Sequence, residues 1–267
     1  MKNNSLLYLF CLLIFSTCSG LPASPPVSSV NVSETSFFSS FPSNGGLVFI
    51  GVAGKRSNPN ETLQLALEDA AHRVAVFNKV SGEYVVENNI GSGAFDHLHN
   101  TRTQLFADKE QSKQYVDALQ YDADTDTIEI ENSFFIRTVY RSPLPSPVNY
   151  RSGYTGADRK PDWIDKPPNE IEGYEVGIGF SGRYSSITDT FTNSWNNAVF
   201  AIIRNINATS QSNDLLYQNT GSLFGYKTSN DNTVYSFGTL SYFYVLDTWI
   251  DPKSKSVWTL AIAKKSE

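Results

Sequence analysis

Two apolar runs, each laced with glycine and each followed by a helical pattern, recur in this chain. That recurrence limits its fold more than any other feature. Val48-Phe49-Ile50-Gly51-Val52-Ala53 parallels Tyr174-Glu175-Val176-Gly177-Ile178-Gly179, 126 positions later. A short apolar run bounded by turn signals reads as a buried strand. After the first run, Pro59, Asn60 and Glu61 mark a helix start. Leu63, Leu67, Ala70, Val74 and Phe77 then recur at helical spacing to about Lys79, and Gly82 ends the pattern. After the second run, Ile187, Phe191, Trp195, Ala198 and Ile202 share one helical face. With a two-residue slip, Leu67, Ala71 and Val74 match Phe191, Trp195 and Ala198. The pattern predicts an α+β or α/β fold of two related modules, each an antiparallel or mixed sheet packed on one main helix.

The intervening elements fit that plan. Residues 83–87 read as a strand, and a weaker helical pattern covers 104–118. Strand patterns at 115–121 and 127–131 flank Asp122-Ala123-Asp124-Thr125-Asp126, which predicts a hairpin, and 134–140 continues the sheet. Half of the twelve prolines lie between 143 and 168. They set a linker over 142–170 between a first module at 45–141 and a second at 171–267. Aromatic strands at 233–237 and 240–250, a turn at 251–255 and a strand at 257–263 close the chain.

The N-terminus points to export. Lys2 precedes the apolar run Leu6–Phe15. Ten helical residues span about 15 Å, half the hydrocarbon thickness of a bilayer. A basic start, a short apolar centre and a small-residue exit mark a signal peptide, here residues 1–17. The exit Phe15-Ser16-Thr17-Cys18-Ser19-Gly20 resembles the lipobox of bacterial lipoproteins, which implies that Cys18 is acylated and becomes the mature first residue. The second cysteine, Cys11, falls within the removed segment, so acylation would cap the single remaining thiol. Plain cleavage near Ala23 is the alternative, and sequons at Asn31, Asn60 and Asn207 would suit a eukaryotic secreted protein. Residues 18–44, rich in Ser, Pro, Val and Asn, predict a flexible tether.

Pro161-Asp162-Trp163-Ile164-Asp165-Lys166-Pro167-Pro168 followed by Gly173–Gly179 resembles the opening of the Lpp-twenty (twenty-kilodalton) bacterial lipoprotein domain. Asp247-Thr248-Trp249-Ile250-Asp251 with Val257-Trp258-Thr259-Leu260 is similar to that family's closing hairpin. The first module, from Gly51 to Asp69-Ala70-Ala71, resembles the N-terminal domain of the flagellar assembly protein FlgT. The second helix departs from the family, with Asn193, Trp195 and Asn196 in place of alanines. The resemblance implies an α/β domain in the bacterial envelope and carries no catalytic residues.

Composition and motifs narrow the chemistry. A net charge of −6 argues against a generic nucleic-acid binder. Gly177-Ile178-Gly179-Phe180-Ser181-Gly182 fits a dinucleotide fingerprint by spacing, but no acidic residue follows at the required distance, so tight strand-to-helix packing is the expected role of the glycines. Arg56, in a turn expected to be solvated, and Arg183 are candidate contacts for an anionic polymer or lipid headgroup. Asp96-His97-Leu98-His99, with His72, is the weak metal alternative; a surface loop is the expectation. Asp122, Asp124 and Asp126 lack the later residues of a calcium loop. Glu170 and Glu172 read as surface groups beside the linker. Tyr242, Phe243, Tyr244, Trp249 and Trp258 crowd the last hairpin, and Tyr242, Tyr244, Trp249 and Trp258 are its candidate binding aromatics.

The sequence thus predicts an envelope lipoprotein, outer-membrane anchored, with a non-catalytic scaffolding or binding role, an envelope protein as partner and no cofactor. The alternatives are a metal-assisted hydrolase around His97 and His99 and a secreted ligand-binding protein.

Overall fold

The computed structural model describes residues 37–42, 46–90, 97–106, 109–171, 173–214, 225–228 and 233–265. These belong to the unit Val32–Glu267; the unit Met1–Asn31 lies outside the described residues, with Cys18 in it. In chain order the elements are β1 (Leu47–Gly54), α1 (Pro59–Asn78), β2 (Val80–Ile90), β3 (His97–Phe106), α2 (Lys109–Val116), β4 (Thr127–Ile130) and β5 (Ser133–Tyr140). Then come β6 (Tyr154–Thr155), β7 (Lys160–Pro161), a 3₁₀ turn (Asp162–Ile164), β8 (Glu175–Ser181), α3 (Ile187–Asp214), β9 (Gly225–Thr228), β10 (Thr233–Ile250) and β11 (Val257–Lys265). The fold is α+β, with antiparallel sheets packed against helices.

α1 starts where Asn58 accepts from the Asn60 N–H and Pro59 supplies a preset φ. Its inner face presses Ala66 and Ala70 onto Gly51 of β1, where a Cβ would overlap the Ala66 carbonyl. β1 has both faces buried. Leu47, Phe49 and Ala53 meet α1, while Val48, Ile50 and Val52 meet Ile187 and Phe191 of α3. Burial on both sides explains why the strand is a continuous apolar run.

The same construction recurs at a spacing of 128. Gly179 lies under Ser194 and Ala198 as Gly51 lies under Ala66 and Ala70. The Arg56 N–H donates to Thr62 Oγ1, which donates to the Asn58 carbonyl; the Tyr184 N–H donates to Thr190 Oγ1, which donates to the Ser186 carbonyl. β1 pairs antiparallel with β5 and β5 with β4; β8 pairs with β11 and β11 with β10. The 126-residue alignment is therefore corrected. Packing on the helix pairs Gly51 with Gly179, and no slip is then needed in the helices.

The halves do not keep their strands to themselves. β1-β5-β4 forms one sheet, but β3-β2-β10-β11-β8 forms a second that joins a hairpin from the first half to strands of the second, with β9 beside β10. β10 spans both jobs. Its first part pairs with β2 and its second with β11, and irregularities between Ser241 and Tyr244 and between Val245 and Asp247 break its register. Tyr242 sits at the first with φ 56°.

Two segments read as connectors are packed parts of the body. Phe37, Phe38 and Ser40, expected in the tether, are buried. Arg137 donates to the Phe37 and Ser39 carbonyls, the Ser40 N–H donates to the Leu246 carbonyl, and the Tyr244 hydroxyl donates to the Ser40 carbonyl. The expected 142–170 linker lies across one face of the six-stranded sheet as a strap. Trp163, fully buried, shares a core with Leu246, Leu260 and Ile262. Nearby, the Ser146 N–H donates to the Tyr174 hydroxyl, which donates back to the Ser146 carbonyl. The expected strand at 115–121 is instead the end of α2 followed by a single bridge at Gln120. The β4–β5 turn is Glu131-Asn132, not residues 122–126.

Candidate functional site

The loops after β1 and β8 converge on one turn. The Lys55 N–H donates to the Asn132 carbonyl, and Lys55 Nζ lies 2.7 Å from Glu129 Oε2. From the other half, Arg183 lies 3.8 Å from Glu131 Oε1, and the Thr188 N–H and hydroxyl donate to Ser133 Oγ at 3.1 and 2.8 Å. Glu131 turns the chain with φ 53°. Arg56 and Arg183, far apart in sequence, are thus carried to the same rim, and both are exposed.

Beside the rim, Phe180, the last residue but one of β8, faces Trp258 across the β8–β11 pair. Their ring centroids are 4.4 Å apart, tilted by 43°. Phe180 is 45% exposed and Tyr184 54% exposed; Trp258 is half-buried. The arrangement offers aromatic area next to cations partly balanced by Glu129 and Glu131. Large apolar area left in water at a polar rim is a property of binding surfaces.

Of the other predicted aromatics, Tyr242 is exposed, but Tyr244 and Trp249 are not surface groups. The Tyr244 hydroxyl accepts from the Val48 N–H at 2.9 Å, and burial pushes its pKa up. Trp249 donates to the Asp158 carbonyl of the strap. The register shifts in β10 and the strap consume these rings, which alternation alone could not foresee.

His97 and His99 lie two apart on β3, an edge strand rather than a loop, and Asp96 falls outside the described residues. Among the described residues, no group of three His, Cys, Asp or Glu is placed to hold a metal. Asp122 and Asp126 spend their carboxylates on the N–H groups of Asp124 and Asp122. Gly177 and Gly179 bring β8 against Ala198 and Ser194 of α3, the close packing expected of them. Glu170 is exposed, and Glu172 lies outside the described residues.

Two buried groups were not anticipated. Asp247 is fully buried, and its Oδ2 accepts from Trp163 Nε1 at 3.0 Å, Ser152 Oγ at 2.8 Å and the Tyr154 hydroxyl at 3.0 Å. Its Oδ1 has no partner among the described residues. Burial raises its pKa to about 6 against the opposing pull of these donors. Burial, reinforced by the charge of Asp247, pushes Tyr154 to about 12. Every side-chain donor on Asp247 comes from the strap, so this acid clasps the strap to β10. The other group is Arg73, 4% exposed, paired with Asp69 on the same helix at 2.9 Å. A lone Asp inside the apolar run 243–250, and an Arg on the apolar face of α1, are the sequence signals for both.

Comparison with protein-family models, with curated proteins and with solved structures finds no match for this chain.

Proposed function

We propose that this protein is an exported bacterial envelope lipoprotein, held on a membrane through acylated Cys18, that binds a protein partner at the rim formed by Phe180, Arg183, Tyr184, Trp258 and Arg56. The role is scaffolding or recruitment rather than catalysis. The observation that carries the reading is exposed Phe180 stacked on half-buried Trp258, a pair at the end of a sheet face whose neighbouring residues Val176, Leu260 and Ile262 are buried. The apolar segment before Cys18 and the polar residues after it supply export and reach. The Lpp-twenty resemblance of residues 161–179 fits the same compartment.

In-cell crosslinking of the tagged chain, membrane extraction and mass spectrometry test this reading, with Cys18→Ala beside it. The expected result is an acylated mature N-terminus at Cys18 and one envelope assembly enriched with the wild type alone. A mature N-terminus downstream of Cys18, with both forms recovered soluble and alone, would overturn it.

A further inference from the structure

The groove between α1 and α3 holds a charged side chain in an aromatic wall. The Arg73 guanidinium lies 5.0 Å from the ring centroid of Phe191 and 4.8 Å from that of Trp195, both on α3. Its Nε donates to Asp69 Oδ2 at 2.9 Å, and the same oxygen accepts from the Val52 N–H at 2.9 Å. Asp69 is thereby fixed between strand and helix, and it orients the guanidinium in turn. An arginine carries five N–H donors in a planar fork, of which this pair uses one. Among the described residues neither Nη nitrogen meets an acceptor.

Arg73 lines a cleft of about 280 Å³. Trp195, Phe200 and Leu105 give it apolar walls, and Asp69, His72, Thr192 and Asn196 give it polar ones. Among the described residues the buried side-chain atom without a partner is Asp247 Oδ1, so the Nη nitrogens of Arg73 reach water, which an acceptor entering the cleft displaces. The planar fork matches a carboxylate with two parallel hydrogen bonds. The adjacent Asp69 charge already offsets part of the arginine's, which favours a monoanion over a doubly charged phosphate. The volume is at the small end of ligand sites.

We propose that this cleft binds a small organic monocarboxylate, with its carboxyl group on the Nη nitrogens of Arg73 and its apolar body against Trp195, Phe200 and Leu105. The site shares no residue with the rim, so it stands whether or not the rim binds a partner.

Titration calorimetry of the whole mature chain tests it with four probes: phenylacetate, hexanoate, phenylacetamide and inorganic phosphate. One or both acids bind saturably, and the amide binds about tenfold or more weakly than phenylacetate, the factor a charged hydrogen-bonded contact supplies. Phosphate binds no better than the amide. Thr192→Trp fills the cleft while leaving Arg73 and Asp69 in place, and it abolishes binding with the melting temperature retained. Arg73→Lys keeps the charge, loses the fork and weakens binding about tenfold. Equal binding of acid and amide, unchanged binding in Thr192→Trp, or no saturation by either acid at millimolar concentration would overturn the proposal.

Discussion

The two halves solve one packing problem in the same way and then diverge at one helix turn. Gly51 under Ala66 and Gly179 under Ser194 let each helix lie directly on its strand, and Thr62 and Thr190 tie each preceding loop to the first helical turn. Where the first half has Asp69 and Arg73, the same spacing of 128 gives Asn197 and Ala201. Asp69 accepts from the Val52 N–H; Asn197 instead donates to the Phe180 carbonyl. Both tie helix to strand, but only the first leaves a buried cation beside a cavity. Shared positions in such a pair report what the fold needs, and differing ones report where each half is free to acquire chemistry.

The largest expected effect tests the shared part. Gly51→Val and Gly179→Val each drive a side chain into a helix backbone, and each lowers stability by about 3 kcal/mol or more, enough to unfold a marginal domain. Urea denaturation measures it; if only one variant is affected, the two positions are not equivalent. The next test concerns the difference. Asp69→Ala leaves the buried Arg73 and the Val52 N–H without their acceptor and costs about 3 kcal/mol, while Asn197→Ala, at an exposed position, costs under about 1 kcal/mol. Equal losses would remove the asymmetry.

Asp247 has no counterpart in the β4–β5 hairpin and gives a pH signature. Its folded pKa is raised to about 6, so the folded state holds the proton more tightly than the unfolded chain. That stabilisation is fully present below the ordinary value of 3.8 and is lost as pH rises through about 6. Wild type is expected to lose about 2 kcal/mol relative to Asp247→Asn between pH 4 and 7, read from paired denaturation curves. A flat difference would show that the carboxylate is not held in this environment. The smallest effect is again a matched pair: Thr62→Ala and Thr190→Ala each cost about 1 kcal/mol in thermal unfolding, and a gap of much more than that would separate the two loop ties.

Local pattern made the strand–glycine–helix units legible, because Leu67, Val74, Ile187 and Phe191 declare their buried faces by spacing alone. The error in aligning the halves, two residues in the strands and four in the helices, arose from pairing Gly51 with Gly177. Both Gly177 and Gly179 press on α3, and sequence cannot say which one occupies the tighter approach. The β2–β10 pairing, the packing of Phe37 and Phe38, and the strap held by Asp247 join residues many tens of positions apart, and no periodicity encodes such partners. Prolines between 143 and 168 signalled irregular backbone, which a strap shares with a linker. Of the rim, Arg56, Arg183 and Trp258 were legible as candidates, whereas their meeting at the Glu131-Asn132 turn depends on tertiary packing.

Photo-crosslinking at residue 180 in living cells tests the proposed role most directly. A photoreactive phenylalanine analogue replaces Phe180 at the rim and, as a control, Glu175 at the opposite end of β8. The expected result is one discrete protein adduct from position 180, absent at 175 and lost with Cys18→Ala. No adduct at 180, or the same adduct from both positions, would contradict a partner-binding rim.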